Sequence, residues 1–133
     1  MDISLLYVIV NDEALLEFDR SKPVPSHQLQ YLDNMDSQMD QGIQLGSDFI
    51  KQPNALQRSQ FVANALVNHL FKDEYSVAIA MCTYLAKRMP DLKQIKCKGE
   101  EGKELSIELV FDRSLEQAQQ EQTIQFHKPD QIH

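Results

Sequence analysis

Glycine is scarce in this chain, and the motifs that depend on it are missing. The 133 residues include four glycines, none of which belongs to a Gly-x-Gly-x-x-Gly or Gly-Lys-Ser/Thr phosphate-binding loop. The sequence also lacks His-Glu-x-x-His, Gly-x-Ser-x-Gly and paired-cysteine zinc motifs. We therefore expect no nucleotide cradle and no cofactor, and we predict no catalytic residues from motifs.

Cysteine and long apolar runs are also sparse. Cys82 and Cys97 have no CxxC spacing, so we expect reduced thiols in or near the core. The N-terminal apolar run, residues 3–10, is far shorter than the about 20 residues of a membrane span. It follows an acidic residue and has no small-residue cleavage site, unlike a signal peptide. These features predict a cytoplasmic protein without a membrane partner.

Basic residues are outnumbered by acidic ones. The chain has 13 lysines and arginines against 20 aspartates and glutamates, a formal net charge of −7. Such a balance provides no general attraction to phosphate backbones or to anionic lipid surfaces. Nucleic acid is therefore not an expected partner.

The hydrophobic patterns predict a single α+β domain over residues 1–113. Alternating or β-branched runs at both ends read as strands, whereas apolar residues at three- and four-residue steps between them read as helices. We expect the order β-β-α-α-α-β-β, with one small antiparallel sheet covered on one face by the three-helix layer. The predicted elements are strands at 3–10 and 14–18, helices starting at 27, 55 and 74, and strands at 92–98 and 104–112.

Capping residues locate the three helix starts. Ser26 and Asp73 are expected to cap the first and third helices, and Asn54 with Gln57 forms a capping-box pattern for the second. The first helix is expected to carry its apolar stripe as far as Ile43, with the neighbouring glycines ending it.

Residues 114–133 are rich in glutamine and poor in apolar side chains. Such a composition buries too little apolar surface to order a segment on its own. We therefore expect a polar tail that is partly helical or disordered.

Three aspartates form a stripe on the first predicted helix. Asp33, Asp36 and Asp40 share one side, and Asp36 lies where a core residue is expected, between Leu29 and Ile43. A carboxylate at such a position costs several kcal/mol unless it is paired, hydrogen-bonded or bound to a metal. Three interpretations stay open, which are a solvated edge, a structural ion pair, and a metal or acid/base site.

Two residues of the second helix bear on this choice. Arg58 and His69 both project near its apolar face. In an antiparallel helix hairpin, Arg58 and Asp40 would lie at compatible heights for an ion pair, and His69 is a further candidate metal ligand. The ion pair would favour the structural interpretation of the stripe.

Exposed apolar residues suggest an interaction. Phe49 and Ile50 occupy a predicted loop, and the third helix is apolar over most of its circumference. With Arg58, these two residues are the predicted interaction residues. We favour a small non-enzymatic interaction or regulatory domain that forms a homodimer or binds another protein. The alternative is a metal-dependent or acid/base enzyme that uses Asp33, Asp36 and Asp40.

Overall fold

Six strands and three helices follow one another along residues 5–111, the part of the chain that the computed structural model describes. The α+β class predicted from the sequence is confirmed. The predicted tail at 114–133 lies outside the described residues. The elements are β1 (Leu5–Val10), β2 (Glu13–Asp19), α1 (Ser26–Met39), β3 (Ile43–Leu45), β4 (Asp48–Ile50), α2 (Ala55–Phe71), α3 (Tyr75–Arg88), β5 (Gln94–Lys98) and β6 (Ser106–Val110).

The larger sheet has the strand order β2-β1-β5-β6. Both hairpins, β1–β2 and β5–β6, are antiparallel as predicted, but β1 pairs with β5 in parallel, so the sheet is mixed. The expectation of an all-antiparallel sheet is therefore wrong for the pairing of β1 with β5. Parallel neighbours require a long crossover, and the stretch between β1 and β5, with all three helices, supplies it.

The turns at one end of the parallel pair are joined to each other. Asn11 and Asp12 adopt positive φ angles of 52° and 71°, a conformation that these two residue types tolerate. The Asn11 amide donates to the Gly99 carbonyl at 2.8 Å, and the Gly99 N–H donates back at 3.0 Å. Lys98 forms a 3.0 Å ion pair with Asp12. These contacts hold the two hairpins in register.

A second, smaller sheet was missed in the sequence. β3 and β4 pair antiparallel in the stretch where the sequence suggested the end of a helix and a loop. Helix α1 therefore ends at Met39. Ile43 is buried as predicted, but it belongs to β3 and not to the helix. Gly42 has a φ of 110°, a backbone conformation that residues with a Cβ rarely adopt, so the chain turns out of the helix at a glycine.

Only one of the three predicted caps is formed as expected. Asn54 and Gln57 exchange side-chain hydrogen bonds with each other's backbone N–H at 2.8 and 2.9 Å, so the predicted capping box is confirmed. Ser26 is already helical and Asp73 lies before the cap of α3, where Glu74 makes no side-chain cap bond. The predicted caps at Ser26 and Asp73 are wrong, because the pattern indicates a boundary only to within a residue or two.

The core lies between the larger sheet and the three helices. Alternate residues of β1 point into it, and every helix contributes fully buried side chains. The buried core residues are Leu6, Val8, Val10, Leu32, Met39, Ile43, Val62, Ala63, Leu66, Val67, Leu70, Ala78, Cys82, Tyr84, Leu85, Leu92, Ile95 and Cys97.

Within residues 5–111 no helix is both long enough and apolar enough to cross a membrane.

Ser59 is buried on α2, and in the described part of the chain its hydroxyl has no hydrogen-bond partner. An unsatisfied buried hydroxyl costs free energy that alanine does not, so Ser59→Ala should raise the free energy of unfolding by about 1 kcal/mol. Urea denaturation measures the change. The control Ser37→Ala, at an exposed position of α1, reports the helix-propensity part alone. A destabilised Ser59→Ala variant would contradict the prediction.

Candidate functional site

The aspartate stripe of α1 forms an ion-pair cluster with residues of both other helices. In this cluster α1 contributes Asp33, Asp36 and Asp40, α2 contributes Arg58, and α3 contributes Tyr84 and Arg88. Each carboxylate faces at least one guanidinium group. We call this set the ion-pair cluster.

Asp36 is the centre of the cluster. Its Oδ1 accepts a 2.6 Å hydrogen bond from the Tyr84 hydroxyl, and its Oδ2 accepts a 2.9 Å bond from Arg88 Nε. Arg58 Nη1 lies 3.3 Å from Oδ1 and also donates to the Asp36 carbonyl at 3.1 Å. Only 28% of the Asp36 side chain is exposed. One carboxylate thus joins all three helices.

Each of the two outer carboxylates, Asp33 and Asp40, forms an ion pair with one of the arginines. Arg58 Nη2 lies 2.5 Å from Asp40 Oδ1, and Arg88 Nη2 lies 3.0 Å from Asp33 Oδ1. The Arg58 Nε donates to the Pro53 carbonyl, which orients the guanidinium from the other side. The ion pair between Arg58 and Asp40 that the sequence predicted is confirmed.

Contacts within the cluster shift the pKa values of Asp36, Tyr84 and Arg58. Burial raises the pKa of Asp36, but hydrogen bonds from Tyr84, Arg88 and Arg58 outweigh it, so the pKa lies below its usual value. Burial, and then the hydrogen bond to Asp36, raises the pKa of Tyr84. The hydrogen bond to Asp40 raises the pKa of Arg58. At neutral pH Asp36 therefore accepts these hydrogen bonds as a carboxylate.

This geometry accounts for the aspartate that the sequence placed in a core position. Its lone pairs face two guanidinium groups and a phenol, which fits the ion-pair interpretation of the stripe. Among the described residues, no three His, Cys, Asp or Glu side chains are grouped so that they could hold a metal ion. His69 is not part of the cluster, because its Nδ1 lies 2.7 Å from Glu74 Oε1 near the connection between α2 and α3.

Sequence reasoning missed two members of the cluster. Tyr84 and Arg88 lie one helical turn apart on α3, and the Arg88 guanidinium also lies over the Tyr84 ring, 5.5 Å from its centroid. An i, i+4 pair of this kind is a local signal for a shared face. Nothing local indicates that this face meets Asp36, which is 48 and 52 residues away from the two side chains.

Arg20 forms a separate anchor. It lies just after β2, and its guanidinium donates to the carbonyls of Ala86 at 3.2 Å, Met89 at 2.9 Å and Leu92. These carbonyls lie at and just beyond the C-terminal end of α3, where intrahelical partners run out. Arg20 thus connects the end of β2 to the end of α3.

A groove lies between the N-terminal halves of α1 and α3. The ion-pair cluster joins the two helices farther along their length. The groove has a volume of about 400 Å³. We call it the α1–α3 groove, and its lining residues are His27, Gln28, Tyr31, Leu32, Ser76, Ile79, Ala80 and Thr83.

The α1–α3 groove is apolar and carries no charged residue. Tyr31 and Ile79 are 43% and 44% exposed, and the exposed Tyr75 begins α3 beside it. No Asp, Glu, Lys or Arg occurs in residues 26–32 or 75–86, although a quarter of the chain is charged. Aromatic enrichment and charge depletion are typical of the centre of a protein–protein interface.

The predicted interaction residues are not part of this groove. Phe49 is exposed on β4 beside Gly42, whereas Ile50 is half-buried and pairs with Ile43 in the small sheet. Arg58 is engaged by Asp36 and Asp40 within the chain. A role of these three residues in binding stays a prediction.

No protein-family model, no curated protein and no solved structure matches this chain significantly. The proposed function therefore rests on geometry and charge.

Proposed function

We propose that this chain is a non-enzymatic protein-interaction domain that forms a homodimer through the α1–α3 groove. The observation that carries the proposal is the charge-free apolar surface around Tyr31 and Ile79. Large exposed apolar patches on small proteins commonly serve binding, and aromatic anchors supply much of the affinity.

The charge distribution favours a second copy as the occupant. In a two-fold symmetric interface each patch meets its own copy, so a charged residue near the axis faces an identical charge. For a chain with a net charge of −7, a surface without charged residues avoids this repulsion. Residues 26–32 and 75–86 provide such a surface.

The β2 edge of the larger sheet is a poorer dimer surface. Its outer strand β2 carries Glu13, Glu17 and Asp19, which would meet the same acids of a second copy. The register shift opposite Val8 and Ile9 leaves Leu15 as an extra residue, and such bulges discourage edge-to-edge pairing. The α1–α3 groove has neither obstacle.

The ion-pair cluster supports a non-enzymatic function. Asp36 was the main reason to consider a metal or acid/base site, and its oxygens are occupied by Tyr84, Arg58 and Arg88. The cluster instead holds α1 against α3 and so sets the spacing of the groove.

The two free, buried thiols, Cys82 and Cys97, fit a reducing compartment, and we infer a cytoplasmic location from them.

The dimer is tested with Ile79→Lys in the groove. A lysine there would introduce two like charges into the proposed symmetric contact, so the dissociation constant should rise by about 30-fold or more, as for an interface hot spot. Sedimentation equilibrium of the full chain measures it. Leu56→Lys is the matched control, because Leu56 is equally exposed but lies on α2 outside the groove.

Two results would overturn the proposal. One is a wild-type chain that stays monomeric at tens of micromolar. The other is a dimer whose dissociation constant is equally insensitive to Ile79→Lys and to Leu56→Lys, which would place the contact elsewhere. Native mass spectrometry of the untagged protein gives the subunit number independently.

A further inference from the structure

A second cavity, of about 340 Å³, lies where the end of β2 and the residues after it meet the C-terminal end of α3. Its lining includes three basic residues, Arg20, Lys22 and Lys87, and we call it the basic pocket. Thr83 lines both this pocket and the α1–α3 groove, so the two adjoin at that residue. Small-molecule sites are commonly cavities of about 300–1,000 Å³, so the basic pocket has room for a small ligand.

Basic residues are concentrated in this pocket although the chain as a whole is acidic. Three of the 13 lysines and arginines line it, and no acidic residue of the described chain does. Lys22 and Lys87 are exposed, and neither forms an ion pair within residues 5–111. Their positive charges are therefore available to a ligand.

Two acidic residues near the pocket reduce its positive charge without removing it. Asp19 is close enough to Lys22 for an electrostatic interaction, but its Oδ1 accepts hydrogen bonds from Ser21 at 2.6 and 2.9 Å. Asp91 attracts Arg20 electrostatically. Neither acid forms an ion pair with a basic side chain in the described stretch 5–111. Three cations therefore face two acids, and the excess charge is positive.

Arg20 makes the end of α3 compatible with an anion. The last carbonyls of a helix carry partial negative charge, which by itself repels anions. The Arg20 guanidinium already donates to three carbonyls at this end, including those of Ala86 and Met89. Its planar fork is thereby engaged, so Lys22 and Lys87 are the donors that a ligand would meet.

The donors of the basic pocket favour a phosphate group over a carboxylate. A carboxylate is bound best by a free guanidinium fork, which Arg20 no longer offers. Lysine ammonium groups are compact charges, and a phosphate monoester brings about −1.5 to −2 charges and three acceptor oxygens to meet two of them. The pocket is also lined by Phe18, Val24 and Pro90, whose apolar side chains suit the organic part of such an ester.

We propose that the basic pocket binds a small phosphate monoester with an apolar body. Lys22 and Lys87 hold the phosphate group, and Phe18 and Val24 contact the apolar part. Such a site needs no glycine-rich phosphate loop, which this chain lacks, because its donors are side chains. The proposal goes beyond the homodimer and does not depend on it.

The proposal is tested by titrating phenyl phosphate into the full chain and recording the NMR shifts of the backbone amides. We expect a dissociation constant of about 1 mM or below, as for a small ligand that is bound efficiently. The largest shifts should occur at Val24, Ala86 and Lys87. Inorganic phosphate lacks the apolar part and benzoate lacks the second charge, so each should bind at least about fivefold more weakly.

A pair of lysine substitutions tests the phosphate contacts. Lys22→Gln combined with Lys87→Gln should raise the dissociation constant of phenyl phosphate at least about tenfold, because two charge-assisted hydrogen bonds are lost. The matched control combines Lys51→Gln with Lys72→Gln, two exposed lysines outside the pocket, and changes the net charge equally. At physiological salt the control should stay within about twofold of the wild type. Arg20 is left unaltered because its loss would disturb the end of α3.

Several results would overturn the proposal. These are no binding of phenyl phosphate up to about 10 mM, equal dissociation constants for the two double variants, and amide shifts centred outside the pocket. Benzoate binding as tightly as phenyl phosphate would refute the choice of phosphate. Inorganic phosphate binding as tightly would show an adventitious ion only. The amide shifts locate the site in the unaltered chain, so the test does not depend on the folding of a variant.

Discussion

Asp36→Asn is expected to lower the free energy of unfolding by about 3 kcal/mol, the cost of breaking a largely buried ion pair by removing one partner. Asparagine keeps the shape of the side chain but removes its charge. Its amide replaces one of the two acceptor oxygens with an NH2 group, which would face the guanidinium of either Arg58 or Arg88, and a guanidinium can only donate. The remaining amide oxygen cannot serve Tyr84, Arg58 and Arg88 together as the two carboxylate oxygens do, and both arginines lose the charge that faces them.

The measurement is urea denaturation of the wild type and variant at neutral pH. Asp40→Asn is the matched control, because Asp40 has one arginine partner and its side chain is 61% exposed. An exposed pair of this kind contributes at most about 1 kcal/mol. Equal losses for the two variants would show that Asp36 is not the centre of the cluster.

The same pair of proteins should differ in their response to acid. The folded-state pKa of Asp36 lies below its unfolded value of about 3.9, so this carboxylate contributes stability that is fully present well above that value. The contribution is lost as the pH falls through the folded-state pKa. The stability difference between the wild type and Asp36→Asn should therefore be constant near neutral pH and shrink below about pH 4. A difference that grows in acid would contradict this sign.

Arg20→Ala should also cost about 3 kcal/mol, because three backbone carbonyls lose a charged donor and the partly buried stem of the side chain is removed. The carbonyls of Ala86 and Met89 belong to the end of α3, and that of Leu92 lies just before β5. Burial lowers the pKa of Arg20, yet a guanidinium remains charged at any physiological pH. We expect α3 to fray from its C-terminal end in this variant.

Arg20→Lys separates charge from geometry. A lysine keeps the charge, but one ammonium group cannot reproduce the planar fork that reaches three carbonyls, so most of the loss should remain. Lys22→Ala, at an exposed neighbouring position, should change stability by less than about 0.5 kcal/mol. Hydrogen exchange of the amides at 86–89 locates the fraying. Full stability of Arg20→Lys would show that the charge, and not the fork, is what matters.

We expect the α1–α3 groove to depend on the ion-pair cluster, but we do not expect the cluster to depend on the groove. Asp36, Tyr84 and Arg88 join α1 to α3 near the C-terminal ends of the two helices, and the groove occupies the other half of the same contact. Loosening the cluster should therefore disturb the groove. A weaker dimer in Asp36→Asn would follow from the proposed function, whereas Ile79→Lys should leave the stability of the monomer largely unchanged.

The local sequence determined those structural elements that depend on interactions or patterns among residues only a few positions apart. The Asn54 and Gln57 pattern starts α2 because each side chain bonds the other's backbone within a single turn. The alternation over residues 106–110 makes β6, and the polar connection before it makes the hairpin with β5. The sequence also showed that Asp36 was out of place, since the helical period alone brings it among core residues.

Tertiary structure decided whatever depends on which distant surfaces meet. The parallel pairing of β1 with β5 joins segments separated by all three helices, and β3 and β4 are too short to show a period. The partners of Asp36 and Arg20 lie 22 to 72 residues away, so no local pattern can name them. A carboxylate among apolar residues shows locally that a partner is required, because its desolvation must be offset. Only the packing of α1 against α2 and α3 selects Arg58, Tyr84 and Arg88 as those partners.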